Sequence, residues 1–201
     1  MKYNNFYREK LLRIFQEKDT IIDIGGGLRI SNKNNRKKHN NFLDAYAHKC
    51  KVMDKVPDYS PDLVGDIHSL PFKDNSVEAF TCIAVLEHVE EPQKAVKEMY
   101  RCLKPGGYCF IYVPFIFFYH PMKGYYDDFY RFTIDGVKYM TRDFKEVEVR
   151  NERGAVETLV NMIPFMTNRV KGGSKILEWI DNLLGKKDSN QTSGYYLFCV
   201  K

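Results

Sequence analysis

The chain has 201 residues, 31 Lys and Arg against 26 Asp and Glu for a net charge of +5, with 44% hydrophobic and 28% charged residues. One domain of this size buries a self-sufficient core, and the balance excludes disordered, fibrous and disulfide-scaffold classes. No apolar run reaches bilayer length, the opening MKYNNFYREK has no apolar signal core, and Cys50, Cys82, Cys102, Cys109 and Cys199 lack metal-type or redox-type spacing; a cytoplasmic protein with reduced thiols and no metal is expected.

Residues 4–17 set Phe6, Tyr7, Leu11, Ile14 and Phe15 at helical spacing, predicting an amphipathic helix that leads into a strand at 20–24. The stretch Ile21–Gly27, IIDIGGG, reads as a buried strand breaking into a glycine loop, where the chain turns sharply and a ligand can approach the backbone. It lacks the third glycine of the dinucleotide fingerprint and the Gly-Lys-Ser/Thr of a phosphate loop, which leaves Asp-x-Gly-x-Gly at Asp23–Gly27. Arg29–Asn41 is polar and basic without apolar period and reads as a solvated loop; the other reading is a contact for phosphate, lipid headgroup or RNA. Phe42–Cys50 reads as a short helix and Lys51–Asp54 as a second strand. Asp54, at the tip of that strand in a doubly wound sheet, is placed to accept both hydroxyl hydrogens of a ribose. Asp62–Asp66 reads as a short third strand, so that Asp66 and Ile67 stand where an adenine can be met by a carboxylate and an aliphatic side chain.

Beyond Leu70 the pattern sharpens into a turn at Lys73–Ser76, a buried strand at Glu78–Ile83, a helix at Pro92–Leu103, a break at Lys104–Gly107 and a strong strand at Tyr108–Val113. Three ordered motifs run through it: Leu70-Pro71-Phe72, Leu86-Glu87-His88-Val89, and Leu-Lys-Pro-Gly-Gly at Leu103–Gly107. With the glycine loop they make residues 20–135 resemble the class I S-adenosylmethionine-dependent methyltransferases, in particular their small Methyltransferase-11-like group. The resemblance implies that Asp23, Gly25 and Gly27 close on the methionine part of the cofactor S-adenosylmethionine, that Asp54 holds its ribose, and that Asp66 and Ile67 hold its adenine. It also implies that Cys82 and Ala84 lie along the cofactor near the sulfonium, whereas His88 is expected to be structural, ending the turn after the fourth strand. Val77-Glu78 replaces a Phe-Asp pair common in that group, and the segment after Gly27 lacks the long helix of many members.

Pro114–Thr133, PFIFFYHPMKGYYDDFYRFT, is strongly aromatic and resembles the acceptor segment of methyltransferases of bacterial surface-glycan pathways, through Pro114-Phe115, His120-Pro121 and Asp128–Thr133. That resemblance implies His120 as general base toward a sugar hydroxyl, Asp128 and Arg131 as residues that orient the acceptor or hold a lid, and Tyr125, Tyr126 and Phe129 as stacking surfaces. Asp128 and Arg131 can equally form a structural ion pair. A helix at Ile134–Met140 and strands at Phe144–Asn151 and Tyr195–Lys201 complete the pattern.

Between those last strands, Gly154–Asn190 carries two amphipathic helical stretches, the first kinked by Pro164. They are expected to cover the acceptor pocket as a lid, ahead of a peripheral membrane contact beside Arg169, Lys171, Lys175, Lys186 and Lys187, or a homodimer contact. The expectation is one α/β domain over 1–201 with a Rossmann-like class I methyltransferase fold: a mixed seven-stranded sheet flanked by helices, one antiparallel edge strand, and a helical insertion before the last strand. The activity expected is O-methylation of a small-molecule or lipid-linked glycan acceptor. Methylation of a small aromatic or quinone-type lipid and a catalytically inactive cofactor-binding scaffold stand as alternatives, and no recognition motif supports nucleic acid.

Overall fold

The computed structural model describes residues 5–27, 41–163 and 174–201. Helix α1 (Asn5–Glu17) turns Phe6, Tyr7, Leu11, Ile14 and Phe15 inward along one face, with Lys10 buried among them and reaching Glu148 Oε1 at 2.7 Å. Then come β1 (Ile21–Ile24), a 3-10 helix at Asn41–Lys49, β2 (Cys50–Asp54) and β3 (Leu63–Val64). The basic stretch 29–41 lies, except for Asn41, outside the described residues. Strand β4 (Val77–Ile83), α2 (Pro92–Cys102), β5 (Leu103–Pro114), α3 (Ile134–Met140) and β6 (Glu146–Asn151) lead to α4 (Ala155–Met162), α5 (Ser174–Leu183) and β7 (Gly194–Val200).

The strands form one seven-stranded sheet in the order β3-β2-β1-β4-β5-β7-β6. Pairing is parallel from β3 through β5, while β7 runs antiparallel to both β5 and β6. The fold is therefore the expected mixed α/β sheet, with one correction: the antiparallel strand is not the edge. Strand β7, GYYLFCV, is buried at every position but the last, as suits an interior strand whose two faces are both covered. Strand β6, EVEVRN, alternates exposed with half-buried residues and suits an edge, where charged side chains also discourage pairing with other chains.

Side chains alternate across the sheet, so β5 sends Tyr108 and Phe110 to the face covered by α1. Cys109, Ile111 and Val113 point the other way, onto Val96 and Met99 of α2 and Val137 of α3. The Lys-Pro-Gly-Gly segment, expected as a break before the strand, lies inside it. Helix α2 hands directly to β5, and the register jumps from Val77↔Leu103 to Ala79↔Tyr108, which accommodates the extra residues as a bulge.

Helices α4 and α5 form the expected insertion and pack on each other. Asp181 of α5 caps α4, accepting from Val156 N at 2.8 Å and Glu157 N at 3.1 Å. Pro164, Arg169 and Lys171 lie outside the described residues, so the expected kink is not described. Leu159, Ile176, Trp179 and Leu183 are exposed. Among the described residues no helix is long and apolar enough to cross a membrane.

Candidate active site

Strand β1 has β2 on one side and β4 on the other, so the chain leaves its carboxyl end in one direction and that of β4 in the opposite one. Such a switch point opens a crevice above the strand ends. A cavity of about 1000 Å³ occupies it, lined by residues that follow β1, β2, β3 and β4 and by the long loop after β5.

The floor of the cavity is backbone. Gly25 sits at φ +72° with its N–H donated to Met53 O at 2.8 Å, and a Cβ there would meet Val85 Cγ2 at 2.5 Å. A Cβ on Gly27 would meet Ile83 O at 2.6 Å. The turn after β1 is thus pressed against the end of β4, which is why glycine is required at both positions. Gly25 lines the cavity; Gly27 supports it from behind. Ala84, also on the wall, is held at φ +54°, a conformation that costs a non-glycine residue about 1 kcal/mol or more.

The two acids expected at strand tips both line the cavity. Asp54 Oδ1 accepts from Val56 N at 2.9 Å, which fixes the carboxylate at the end of β2. Asp66 Oδ1 accepts from His68 N at 2.8 Å and lies 2.7 Å from His68 Nδ1. Glu91 N–H donates to His68 Nε2 at 3.3 Å, so the ring proton is on Nδ1 and is given to Asp66. The backbone donor from His68 is the main cause that holds the Asp66 carboxyl below its usual range, against partial burial. Ile67 is buried beside it on the wall. Asp23 and Cys82 do not reach the cavity. Asp23 is fully buried and accepts from Thr81 Oγ1 at 2.8 Å, and Cys82 faces the core.

Also at the cavity, Tyr59 stacks on Tyr125 with ring centroids 5.4 Å apart, and Tyr126 lies 4.3 Å from the His88 ring. These rings, with Met122 and Phe129, make an aromatic wall. The expected trio of His120, Asp128 and Arg131 is brought together behind that wall. Arg131 grips both Asp128 oxygens, at 2.6 and 2.7 Å, and donates to the carbonyls of Phe117, Phe118 and Tyr130. Those guanidinium bonds hold the buried Asp128 carboxyl down at about 2, and Asp128 Oδ2 also accepts from His120 N at 2.8 Å. None of the three lines the cavity. The His120 ring is edge-on to His88, 4.9 Å between centroids, and His88 is the one that faces the cavity. His88 also ends the turn after β4, as expected, with Nδ1 2.6 Å from Asp127 O.

Sequence reasoning also missed Glu87. Its side chain is 1% exposed, and neither oxygen has a hydrogen-bond partner among the described residues. Burial pushes its carboxyl up to about 7. Glu87 Oε1 lies 3.9 Å from His88 Nε2 and 3.7 Å from His120 Nε2. The signal in the sequence was an acid flanked by the apolar Leu86 and Val89 within one motif; both neighbours are buried.

Residues 21–111 match the family described as methyltransferase domain, Methyltransf_11. A 45-residue stretch is 47% identical to the ubiquinone/menaquinone biosynthesis C-methyltransferase UbiE of Ruegeria sp. (strain TM1040), covering 22% of this chain and 18% of that protein. The chain thus matches less than a fifth of that relative's length. Among solved structures the chain is similar to a SAM dependent methyltransferase from Archaeoglobus fulgidus, with a TM-score of 0.64 at 14% identity over 98% of this chain and 92% of that one. It is also similar to Haemonchus contortus phosphoethanolamine N-methyltransferase 2 in complex with S-adenosyl-L-methionine, with a TM-score of 0.51 at 15% identity over 96% of this chain and 52% of that one. At such identities the likeness is one of fold.

Proposed function

We propose that the protein, whose residues 21–111 match the methyltransferase-domain family and whose fold is that of class I S-adenosylmethionine-dependent methyltransferases, moves a methyl group from S-adenosylmethionine to a hydroxyl oxygen of a saccharide or glycan precursor. The observation that carries this reading is that one cavity is lined both by two fixed carboxylates, Asp54 and Asp66, and by tyrosines and His88.

The residues present fit the cofactor. The glycine turn presents backbone where a side chain would obstruct, Asp54 offers carboxylate oxygens to a ribose diol, and Asp66 with Ile67 offers an acceptor and an apolar face to a base. When bound, S-adenosylmethionine supplies a methyl group already activated by its sulfonium. What the chain contributes is alignment, which can account for about 7–11 kcal/mol of barrier lowering. The ring faces of Tyr59, Tyr125 and Tyr126 suit the apolar faces of a sugar, and a volume of about 1000 Å³ has room for donor and acceptor together. Asp128 and Arg131 act as positioning residues that shape the acceptor loop. None of the described residues of the insertion at 154–190 lines the cavity, and the insertion follows β6 at the sheet edge far from β1.

The same aromatic wall, together with the short likeness to a quinone-pathway C-methyltransferase, supports a second reading in which the acceptor is a quinone-type ring. Calorimetric titration with S-adenosylmethionine, on wild type and Asp54→Ala, followed by a labelled-methyl screen of sugar nucleotides, lipid-linked glycans and demethylquinones, separates the readings. Binding lost in the variant and label on a saccharide oxygen is the expected result. Label on a quinone carbon moves the second reading forward, and absence of binding to wild type overturns both.

A further inference from the structure

We propose that Glu87, His88 and His120 form a binding site for a divalent transition-metal ion at the wall of the cavity. One ligand atom from each of the three lies within 4.8 Å of the others. His88 Nδ1 lies 2.6 Å from Asp127 O and His120 Nδ1 lies 2.8 Å from Phe118 O. A carbonyl only accepts, so each ring carries a proton on Nδ1, for His120 with Asp128 Oδ2 as a second acceptor at 3.3 Å that outweighs the long 3.4 Å approach of Arg131 Nη2, and each neutral ring presents the lone pair of Nε2. This is the arrangement that orients metal-bound histidines, in which the second ring nitrogen is tied to a carbonyl. Both Nε2 atoms approach Glu87 Oε1, at 3.9 and 3.7 Å. Ligands around a tetrahedral ion with bonds of about 2.1 Å stand about 3.4 Å apart, so each Glu87–histidine pair closes by a few tenths of an ångström, and the two histidine nitrogens, within 4.8 Å of each other, close by about 1.4 Å at most.

Glu87 makes the case independent of the histidines. Buried carboxylates are paired, hydrogen-bonded or bound to metal, and Glu87 is 1% exposed with neither oxygen hydrogen-bonded among the described residues. The backbone carbonyl of Glu87 already secures the acceptor loop by accepting from Phe129 N and Tyr130 N. The nearby positive charge of Arg131 is matched by Asp128, which it holds through two hydrogen bonds, so the pair brings no net repulsion to a cation. Two imidazoles and a carboxylate select zinc, cobalt, nickel or iron over magnesium and calcium. Three protein ligands leave coordination positions open, and His88 puts the group at the cavity. Cysteine spacing, from which no metal is expected, carries no sign of this group, because only the fold brings Glu87, His88 and His120 together.

The inference does not rest on the methyl-transfer reading, and its test uses the full chain without cofactor. Purified protein is titrated with Co²⁺ and with Zn²⁺, following ligand-field absorption and bound metal after dialysis, alongside Glu87→Gln and His120→Ala. One equivalent per chain is expected in wild type, with affinity lower by about 100-fold or more in each variant that remains folded by circular dichroism. X-ray absorption on the wild-type zinc form is expected to show two imidazoles, a readout that stands even if a variant does not fold. Failure of wild type to retain an equivalent, or a coordination sphere without two imidazoles, overturns the proposal whatever the methylation assay gives.

Discussion

Asp23 and Thr81 join β1 to β4 inside the sheet: Thr81 Oγ1 donates to Asp23 Oδ1 at 2.8 Å, and both residues are fully buried. The acid that opens the glycine motif therefore serves the sheet, holding the two strands that flank the switch point. Thr81→Val removes a donor from a buried carboxylate at nearly constant shape. It should lower unfolding free energy by about 1–3 kcal/mol in a denaturant titration, and a change under 0.5 kcal/mol would contradict the assignment.

Gly27→Ala tests the floor of the cavity. The clash is with the backbone oxygen of Ile83, which no rotamer change relieves, so the turn and the end of β4 must move apart. The expected outcome is a loss of about 1–3 kcal/mol in stability and weakening of S-adenosylmethionine by about tenfold or more by calorimetry. Unchanged affinity would separate Gly27 from the cofactor side of the cavity.

Arg131→Ala strips the fully buried Asp128 side chain of its partner and frees the carbonyls of Phe117 and Phe118. Breaking such a pair costs about 3 kcal/mol or more. Because the pair stands behind the aromatic wall, cofactor affinity should hold within about threefold while acceptor turnover falls. Equal loss of both would show that Arg131 acts on the whole site.

Glu78 gives the pH dependence. Its carboxylate accepts from Asp19 N, Thr20 N and Lys104 Nζ at 2.9, 3.1 and 3.0 Å, which pushes it down to about 2, the backbone donor of Asp19 contributing most. Since the folded value is lowered from the ordinary 4.5, its contribution is complete above about 4.5 and is lost as pH falls toward 2. Solvent screening limits the effect to about 1 kcal/mol. Glu78→Gln should therefore be less stable than wild type at pH 7, with the gap closing between pH 4.5 and 2; a gap constant with pH would refute it.

Asp181→Ala removes the cap that α5 supplies to α4. About 1 kcal/mol of stability should be lost, with cofactor binding unchanged since none of the described insertion residues lines the cavity. Weaker cofactor binding in this variant would support the expected covering role of the insertion.

Much of this protein was determined by its sequence alone. Helices α1 and α2 follow from local apolar spacing. The positions of Asp54 and Asp66 follow from chain order, because the ends of successive parallel strands lie on one side of a sheet. The glycine turn is legible because steric exclusion is written in residue type. What tertiary structure decided is non-local. Strand β7 enters between β5 and β6 through pairings such as Tyr108↔Val200, which no window of sequence contains. Asp23 and Cys82 turn inward because of which sheet face each strand position occupies. His120 stands one ring behind His88 because Arg131 and Asp128 tie the loop back on itself. Glu87 meets both histidines only after the loop following β5 folds across the end of β4, where Phe129 N is bound to the Glu87 carbonyl. Local patterns specify which groups a chain carries; packing specifies which of them share the same few ångströms.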